Sequence, residues 1–257
     1  MNRLTNLLAS KKKNILNVYC TAGFPSLDST VEVIDALEKS GVDIVEVGIP
    51  YSDPIADGPV IQQSNMKAIA NGISLPKIFD QLTGIRNSNH IPIILMGYLN
   101  PVLQYGFEKF CKDAKRVGAD AIILPDLPMY EFENEYGKYI KENDLHFIFL
   151  ITPETTDERI RNIDRLSTAF IYAVSSSATT GNEVNTNNLN SYLKRIEAME
   201  LQHPVLVGFG IKDRASFLGA TANTSGAIIG SAFIKMLEQN VNIKKGIPDY
   251  IHSILND

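Results

Sequence analysis

The residue whose type and setting most invite chemistry is Glu46, a carboxylate inside the apolar run Asp43-Ile44-Val45-Glu46-Val47-Gly48. Side chains of an extended strand alternate, which puts Val45 and Val47 on one face and Ile44, Glu46 and Gly48 on the other. A carboxylate so placed is either buried or at the mouth of a barrel, where its pKa rises toward neutrality and suits proton transfer, or it is a solvated strand-end Glu paired with Lys or Arg. Directly after it comes G-I-P-Y-S-D-P-I-A-D-G-P, which sets Asp53 and Asp57 between three prolines and two glycines. Such a loop is stiff and could hold a carboxylate over a substrate. Asp and Pro are also common turn residues, so either aspartate alone says little.

Two glycine turns near the C-terminus suggest an anion. Gly208-Phe209-Gly210 and Ile229-Gly230-Ser231 each follow an apolar run and lead into a helical segment. Glycine lets backbone N–H groups approach a phosphate, and the helix N-terminus adds favourable dipole charge. The stretch Ser175 to Asn188 is polar, built of small residues and long enough to close over a ligand, or else it is a surface loop.

These positions need a scaffold. Eight short apolar runs alternate with segments of helical period: Ile15 to Thr21, Asp43 to Gly48, Ile91 to Met96, Ala121 to Pro125, His146 to Ile151, Ala169 to Val174, Pro204 to Gly208 and Gly226 to Gly230. Most are apolar throughout, as in parallel strands covered on both faces. Helices are expected over Ser29 to Lys39, Phe107 to Val117, Glu131 to Asn143, Thr156 to Leu166, Leu189 to Met199 and Arg214 to Ala220. At roughly 30 residues per βα unit, eight units consume the chain, which predicts one TIM barrel, a (β/α)8 domain spanning residues 1–257. An extra N-terminal helix (Arg3 to Ser10) and an extra helix after strand 2 (Val60 to Ala70 ahead of Leu75 to Ile85) complete it. The turn Thr21-Ala22-Gly23-Phe24-Pro25 is not the Gly-rich turn a doubly wound fold would want.

In such a barrel chemistry lies beyond the C-terminal strand ends. His90, His146 and His203 stand at strand starts and His252 in the last helix, so acid–base work falls to carboxylates or tyrosines. Two distant cysteines, Cys20 and Cys111, give no zinc spacing, and no metal is expected. The chain has 257 residues, 44% hydrophobic and 21% charged, with 17 Gly, 12 Pro and a net charge of −5. That excludes collagen-like and disordered classes and makes nucleic-acid binding unexpected; the one cationic run, Lys11 to Lys13, reads as a solvated helix end. No apolar run reaches the roughly 18 residues of a membrane span, and the N-terminus has no apolar signal core, so a cytoplasmic protein with free thiols is expected.

The run V-E-V-G-I-P-Y-S-D-P-I-A-D-G-P-V-I-Q resembles the tryptophan synthase α subunit family, together with T-A-G-F-P, L-M-G-Y-L-N-P, L-P-D-L-P, G-F-G-I and the final G-S, over nearly the whole chain. The strand 2 motif is specific, because related phosphate-binding barrels lack it. The resemblance implies cleavage of indole-3-glycerol phosphate to indole and glyceraldehyde 3-phosphate, with no metal or organic cofactor in this chain. It implies that Glu46 is the acid–base group, that Asp57 stabilises positive charge at the indole nitrogen, and that Tyr172 contacts the substrate. It further implies that Tyr19 belongs to the indole pocket, that Gly181, Gly210, Gly230 and Ser231 bind phosphate beside Phe209, and that Asp126 and Thr180 meet when a lid closes.

The family works as an α2β2 heterotetramer in which indole passes to a β subunit carrying pyridoxal phosphate. The loop Asp53 to Pro59 and the segment Leu99 to Tyr105 match the contact surface. One departure touches the lid: where many members have S-R-x-G-V-T-G, Ser175 to Gly181 reads S-S-S-A-T-T-G, so Ser176 stands where the arginine would be and Ala178 replaces a glycine. This bears on lid closure and its coupling to a partner, and leaves the core chemistry in place. Two rivals stand beside this reading: a lyase of the same barrel type working without a partner, and a non-catalytic phosphometabolite-binding barrel, which intact Glu46 and Asp57 disfavour.

Overall fold

The computed structural model describes residues 2–174, 186–208, 210–239 and 242–256. Among them, nine parallel strands form one sheet: β1 (Ile15–Thr21), β2 (Ile44–Gly48), β3 (Ile93–Met96), β4 (Ala121–Ile123), β5 (His146–Phe147), β6 (Leu150–Ile151), β7 (Ile171–Val174), β8 (Val205–Gly208) and β9 (Gly226–Ile229). Their order is β5-β4-β3-β2-β1-β9-β8-β7-β6. The two ends of that order are consecutive pieces of one stretch of chain. Ile148 N donates to Ile122 O of β4 at 3.1 Å, while Phe149 O accepts from Tyr172 N of β7 at 2.9 Å. The single run expected over His146 to Ile151 therefore changes partner midway, and this crossover closes the sheet into a barrel.

Alternation sorts the strand residues into two cores. Leu16, Val18, Val45, Val47, Ile93, Leu95, Ile122, Val205 and Val207 pack outward against the helices. Ile15, Ile44, Ile94, Ala121, Ile123, Ile148, Phe170, Leu206 and Ile228 fill the barrel, and Leu4 and Leu8 of helix Arg3–Ser10 cover its N-terminal end. That helix is fixed from outside too: the Asn2 side chain accepts from Leu4 N, and Thr5 Oγ1 meets His146 Nε2 at 2.8 Å. Towards the C-terminal strand ends the inner face turns polar, with Asn17, Tyr19, Glu46 and Tyr172.

Several element bounds differ from the sequence reading for identifiable reasons. The helix after strand 2 starts at Pro59, whose missing N–H is no loss in a first turn. The next one stops at Leu82, before Gly84 turns left-handed at φ 80°. The helix expected over Glu131 to Asn143 contains a π turn, Phe132–Tyr136, between Met129–Glu131 and Gly137–Glu142. At that turn Phe132 packs on Phe147 and Phe149, with ring centroids 4.7 and 5.0 Å away. No helix among the described residues is long and apolar enough to cross a membrane.

Candidate active site

Glu46 lies in the middle of β2, paired in register with Tyr19 of β1 and Ile94 of β3. It is fully buried. Asn17, two residues below Tyr19 on the same face of β1, donates from Nδ2 to Glu46 Oε1 at 2.5 Å. Glu46 Oε2 has no partner among the described residues. Burial pushes the carboxyl up from 4.5 to about 8, against the opposing pull of the Asn17 hydrogen bond. Glu46 is therefore mostly protonated at neutral pH, with one oxygen free to carry the proton.

Asp57 reaches the same region from the loop that follows β2. Asn65, nearly two turns into helix Pro59–Ala70, donates to Asp57 Oδ2 at 3.3 Å, and Gln62 Nε2 donates to the Asp57 carbonyl at 2.8 Å. Burial raises the carboxyl to about 6, and hydrogen bonds from Tyr98 and Asn65 restrain the rise. The loop is docked on the next βα unit as well as rich in proline. Ala56 N donates to Tyr98 Oη at 3.0 Å, the Tyr51 and Tyr98 rings stack 5.6 Å apart, and Asn100 donates to Tyr51 Oη at 3.1 Å. Asp53 is separate: it is exposed and accepts from Ser52 Oγ.

Two tyrosines line this region by the same device on two strand pairs. Tyr19 lies two residues below the position that faces Gly48, and Tyr172 two residues below the one that faces Gly208. Each ring extends over the neighbouring strand where a glycine leaves room. A Cβ at Gly48 would lie 2.1 Å from Tyr19 Oη, and one at Gly208 would lie 2.6 Å from Tyr172 Oη. Gly208, read from the sequence as part of an anion-binding turn, is occupied with seating Tyr172. Burial, then the neighbouring negative groups Asp57 and Glu46, hold both phenols well above their usual range. They are thus hydrogen-bonding hydroxyls at any working pH.

The proposed phosphate positions lie at the same strand ends. Gly210 has φ 48°, and a Cβ there would meet nothing within 4 Å; at Gly230 the nearest atom would be Tyr19 Cβ at 3.9 Å. Ser231 opens helix Ser231–Gln239 and is exposed. Thr180, Gly181 and Phe209 lie outside the described residues, as do Ser176 and Ala178 of the lid motif. Asp126, expected to meet Thr180, accepts from Leu99 N at 2.9 and 3.1 Å.

The histidines are elsewhere. His146 bonds Thr5 and Thr168 at the opposite end of the barrel, and His203 meets Asp164. Both cysteines are buried free thiols, and among the described residues no group of three His, Cys, Asp or Glu side chains could hold a metal ion. Sequence reasoning missed Asn17, Asn65 and Tyr98 as partners of the two carboxylates. The available signal for Asn17 was a lone amide inside the run I-L-N-V-Y-C-T.

Comparison with known proteins agrees with this geometry. The family model for the tryptophan synthase alpha chain matches residues 5–251. The chain is 49% identical over 255 residues to the tryptophan synthase alpha chain of Parabacteroides distasonis, covering 99% of both chains. Among solved structures, it resembles tryptophan synthase subunit alpha from Legionella pneumophila with a TM-score of 0.88 at 33% identity, covering 99% of this chain and 97% of that one. It also resembles a chain of the tryptophan synthase complex from Pyrococcus furiosus with a TM-score of 0.84 at 32% identity, covering 95% of this chain and 99% of that one. A carboxylic acid and a carboxylate brought together at the mouth of a barrel whose whole length matches in sequence and shape leave one assignment: the chain belongs to the tryptophan synthase alpha chain family.

Proposed function

We propose that this chain cleaves indole-3-glycerol phosphate by a retro-aldol reaction, with Glu46 as the acid–base group and Asp57 as the counter-charge. The observation that carries the reading is the setting of the two carboxyls: Glu46 is fully buried with one amide on Oε1 and no described partner on Oε2, whereas Asp57 is held in the loop by neutral donors, so that burial raises Glu46 further, to about 8, than Asp57, to about 6. At neutral pH one is mainly an acid and the other mainly an anion, the division of labour that two carboxylates in different settings provide.

The steps follow from that division. Glu46 gives its proton to indole C3, and the ring nitrogen becomes positive. Asp57 accepts the N–H hydrogen bond and stabilises that charge as it develops. The Glu46 carboxylate then takes the proton of the glycerol hydroxyl next to the ring, the C–C bond breaks, and its electron pair returns to the indole. Indole and glyceraldehyde 3-phosphate leave, and Glu46 is protonated again. Tyr19 and Tyr172 flank the two carboxyls as neutral phenols. Backbone N–H groups near Gly181, Gly210 and Gly230, the Ser231 hydroxyl and the helix dipole hold the phosphate, with Phe209 and Thr180 beside the substrate.

No cofactor takes part in this chain; pyridoxal phosphate belongs to a β subunit, to which indole passes in an α2β2 complex. The partner reading is supported by exposed apolar side chains on the two segments assigned to that contact, Ile55 at 75% and Leu103 at 42% exposure. The two buried thiols fit a reducing cytoplasm. Steady-state indole release, with and without a β subunit, tests the proposal. Release that rises with the β subunit and disappears in Glu46→Gln is expected. Equal release in both arms would make the enzyme partner-independent, and none in either would leave only a binding protein.

A further inference from the structure

Asn17 is the one described side chain that bonds the acid–base carboxyl, and nothing in the reaction as written uses it. It is fully buried, and its Oδ1 has no partner among the described residues. A polar amide kept inside a barrel half-satisfied is a stability cost that an apolar residue would avoid. Its Nδ2 meets Glu46 Oε1 at 2.5 Å, which leaves Oε2 as the oxygen where the proton resides.

We infer that Asn17 is a positioning residue for catalysis: its amide fixes the Glu46 carboxyl by Oε1, so that Oε2 alone carries the proton to and from the substrate. The inference rests on the lyase reading above. The hydrogen bond persists in both protonation states, because Oε1 accepts whether it is a carbonyl or a carboxylate oxygen. It strengthens when Glu46 ionises, since a charged acceptor roughly doubles such a bond. Asn17 thus favours the state reached after proton transfer over the state before it, which is what lowers a barrier. The titratable groups that interact electrostatically with Glu46 are all acids: Tyr19 on β1 and Tyr172 on β7 on the inner face of the barrel, both also interacting with Asp57, and Cys20 on the opposite face of β1. None of them can replace the Asn17 donor by supplying positive charge.

The test compares pH profiles of indole release for the full-length wild type, Asn17→Val, Asn17→Asp and Glu46→Gln. Loss of the donor leaves burial unopposed, so in Asn17→Val the alkaline limb governed by Glu46 should move up by about one pH unit. Its kcat at neutral pH should fall about tenfold while KM changes little, the split expected when an interaction strengthens only on the way to the transition state. Asn17→Asp keeps the shape should the valine variant fail to fold. A second carboxyl beside Glu46 should raise the limb as well, because two like charges resist ionising together. Limbs that coincide with wild type in both variants would overturn the role of Asn17 while leaving Glu46 as the acid. Turnover retained by Glu46→Gln would instead overturn the catalytic reading on which the inference rests.

Discussion

Buried carboxylates occur at both ends of this barrel, and they are treated in opposite ways. At the N-terminal end Asp120 is 2% exposed and takes Arg3 Nε at 3.3 Å, Arg86 at 3.2 Å and Ile93 N at 3.0 Å. Asp164 accepts from Gln202 N at 2.8 Å and from His203 N and Nδ1 at 3.0 Å. At the C-terminal end, among the described residues, Glu46 has one amide and an orphan oxygen, with no cation, and Asp57 has only neutral donors. The same functional group is a structural tie where its charge is compensated and is left available for proton transfer where it is not.

Replacing one carboxyl from each end should therefore give opposite results. The largest effect is expected for Glu46→Gln, which should lower turnover by about 10²- to 10⁴-fold at nearly constant shape. It should also stabilise the fold. A carboxyl that goes from 4.5 unfolded to about 8 folded binds its proton more tightly in the native state, so its contribution is greatest below about 4.5 and is lost as pH rises to about 8. Unfolding of wild type and variant at several pH values should show a gap in favour of the variant that widens by about 1.4 kcal/mol per pH unit in that window. A gap that stays flat would mean that Glu46 is not buried uncompensated.

Asp120→Asn should do the reverse. It leaves two guanidinium groups without their shared anion, at a cost of about 2 to 3 kcal/mol; this is below the full price of a broken buried pair because Arg3 is 37% exposed and water screens it. Denaturant unfolding should reveal the loss, and the kcat of the folded fraction should remain near wild type. A large drop in kcat would mean that the two ends are coupled.

The contrast between the ends was only partly legible in the sequence. Helix Arg3–Ser10 and β1 were readable to the residue, because a clear apolar period and an unbroken β-rich run mark them. The division of one expected strand into β5 and β6 was not, since a change of hydrogen-bonding partner leaves no trace in residue type. Glu46 and Asp57 announced themselves by motif, and three of the four histidines by their place at strand starts. Asn17 became meaningful only through the register of β1 against β2, and Gly208 only through the ring two residues down the next strand. What escaped was pairing across strands, which depends on stagger rather than composition.

Asp57→Asn sharpens the C-terminal half of the contrast. Turnover should fall about 10²- to 10³-fold with little loss of ground-state affinity, since the charge it stabilises develops only during the reaction. The wild-type profile of kcat/KM should be a bell with limbs near 6 for Asp57 and near 8 for Glu46. The substrate phosphate also titrates near the first limb, so the Asp57 limb is identified by its disappearance in the residual activity of Asp57→Asn. Loss of affinity alone would demote Asp57 to a binding residue. The smallest effect is expected for Lys212→Ala: Lys212 is exposed, so phosphate affinity measured by titration should change by less than about 1 kcal/mol. A tenfold loss would instead make it part of the phosphate site.

The uncompensated state of Glu46 can be observed without substrate or partner. Carbon-13 labelling of the glutamate carboxyls, with Glu46→Gln to identify the resonance, allows its titration to be followed by NMR in the free protein. A midpoint near 8 is expected; a midpoint near 4.5 would contradict the assignment of Glu46 as the acid that starts the reaction.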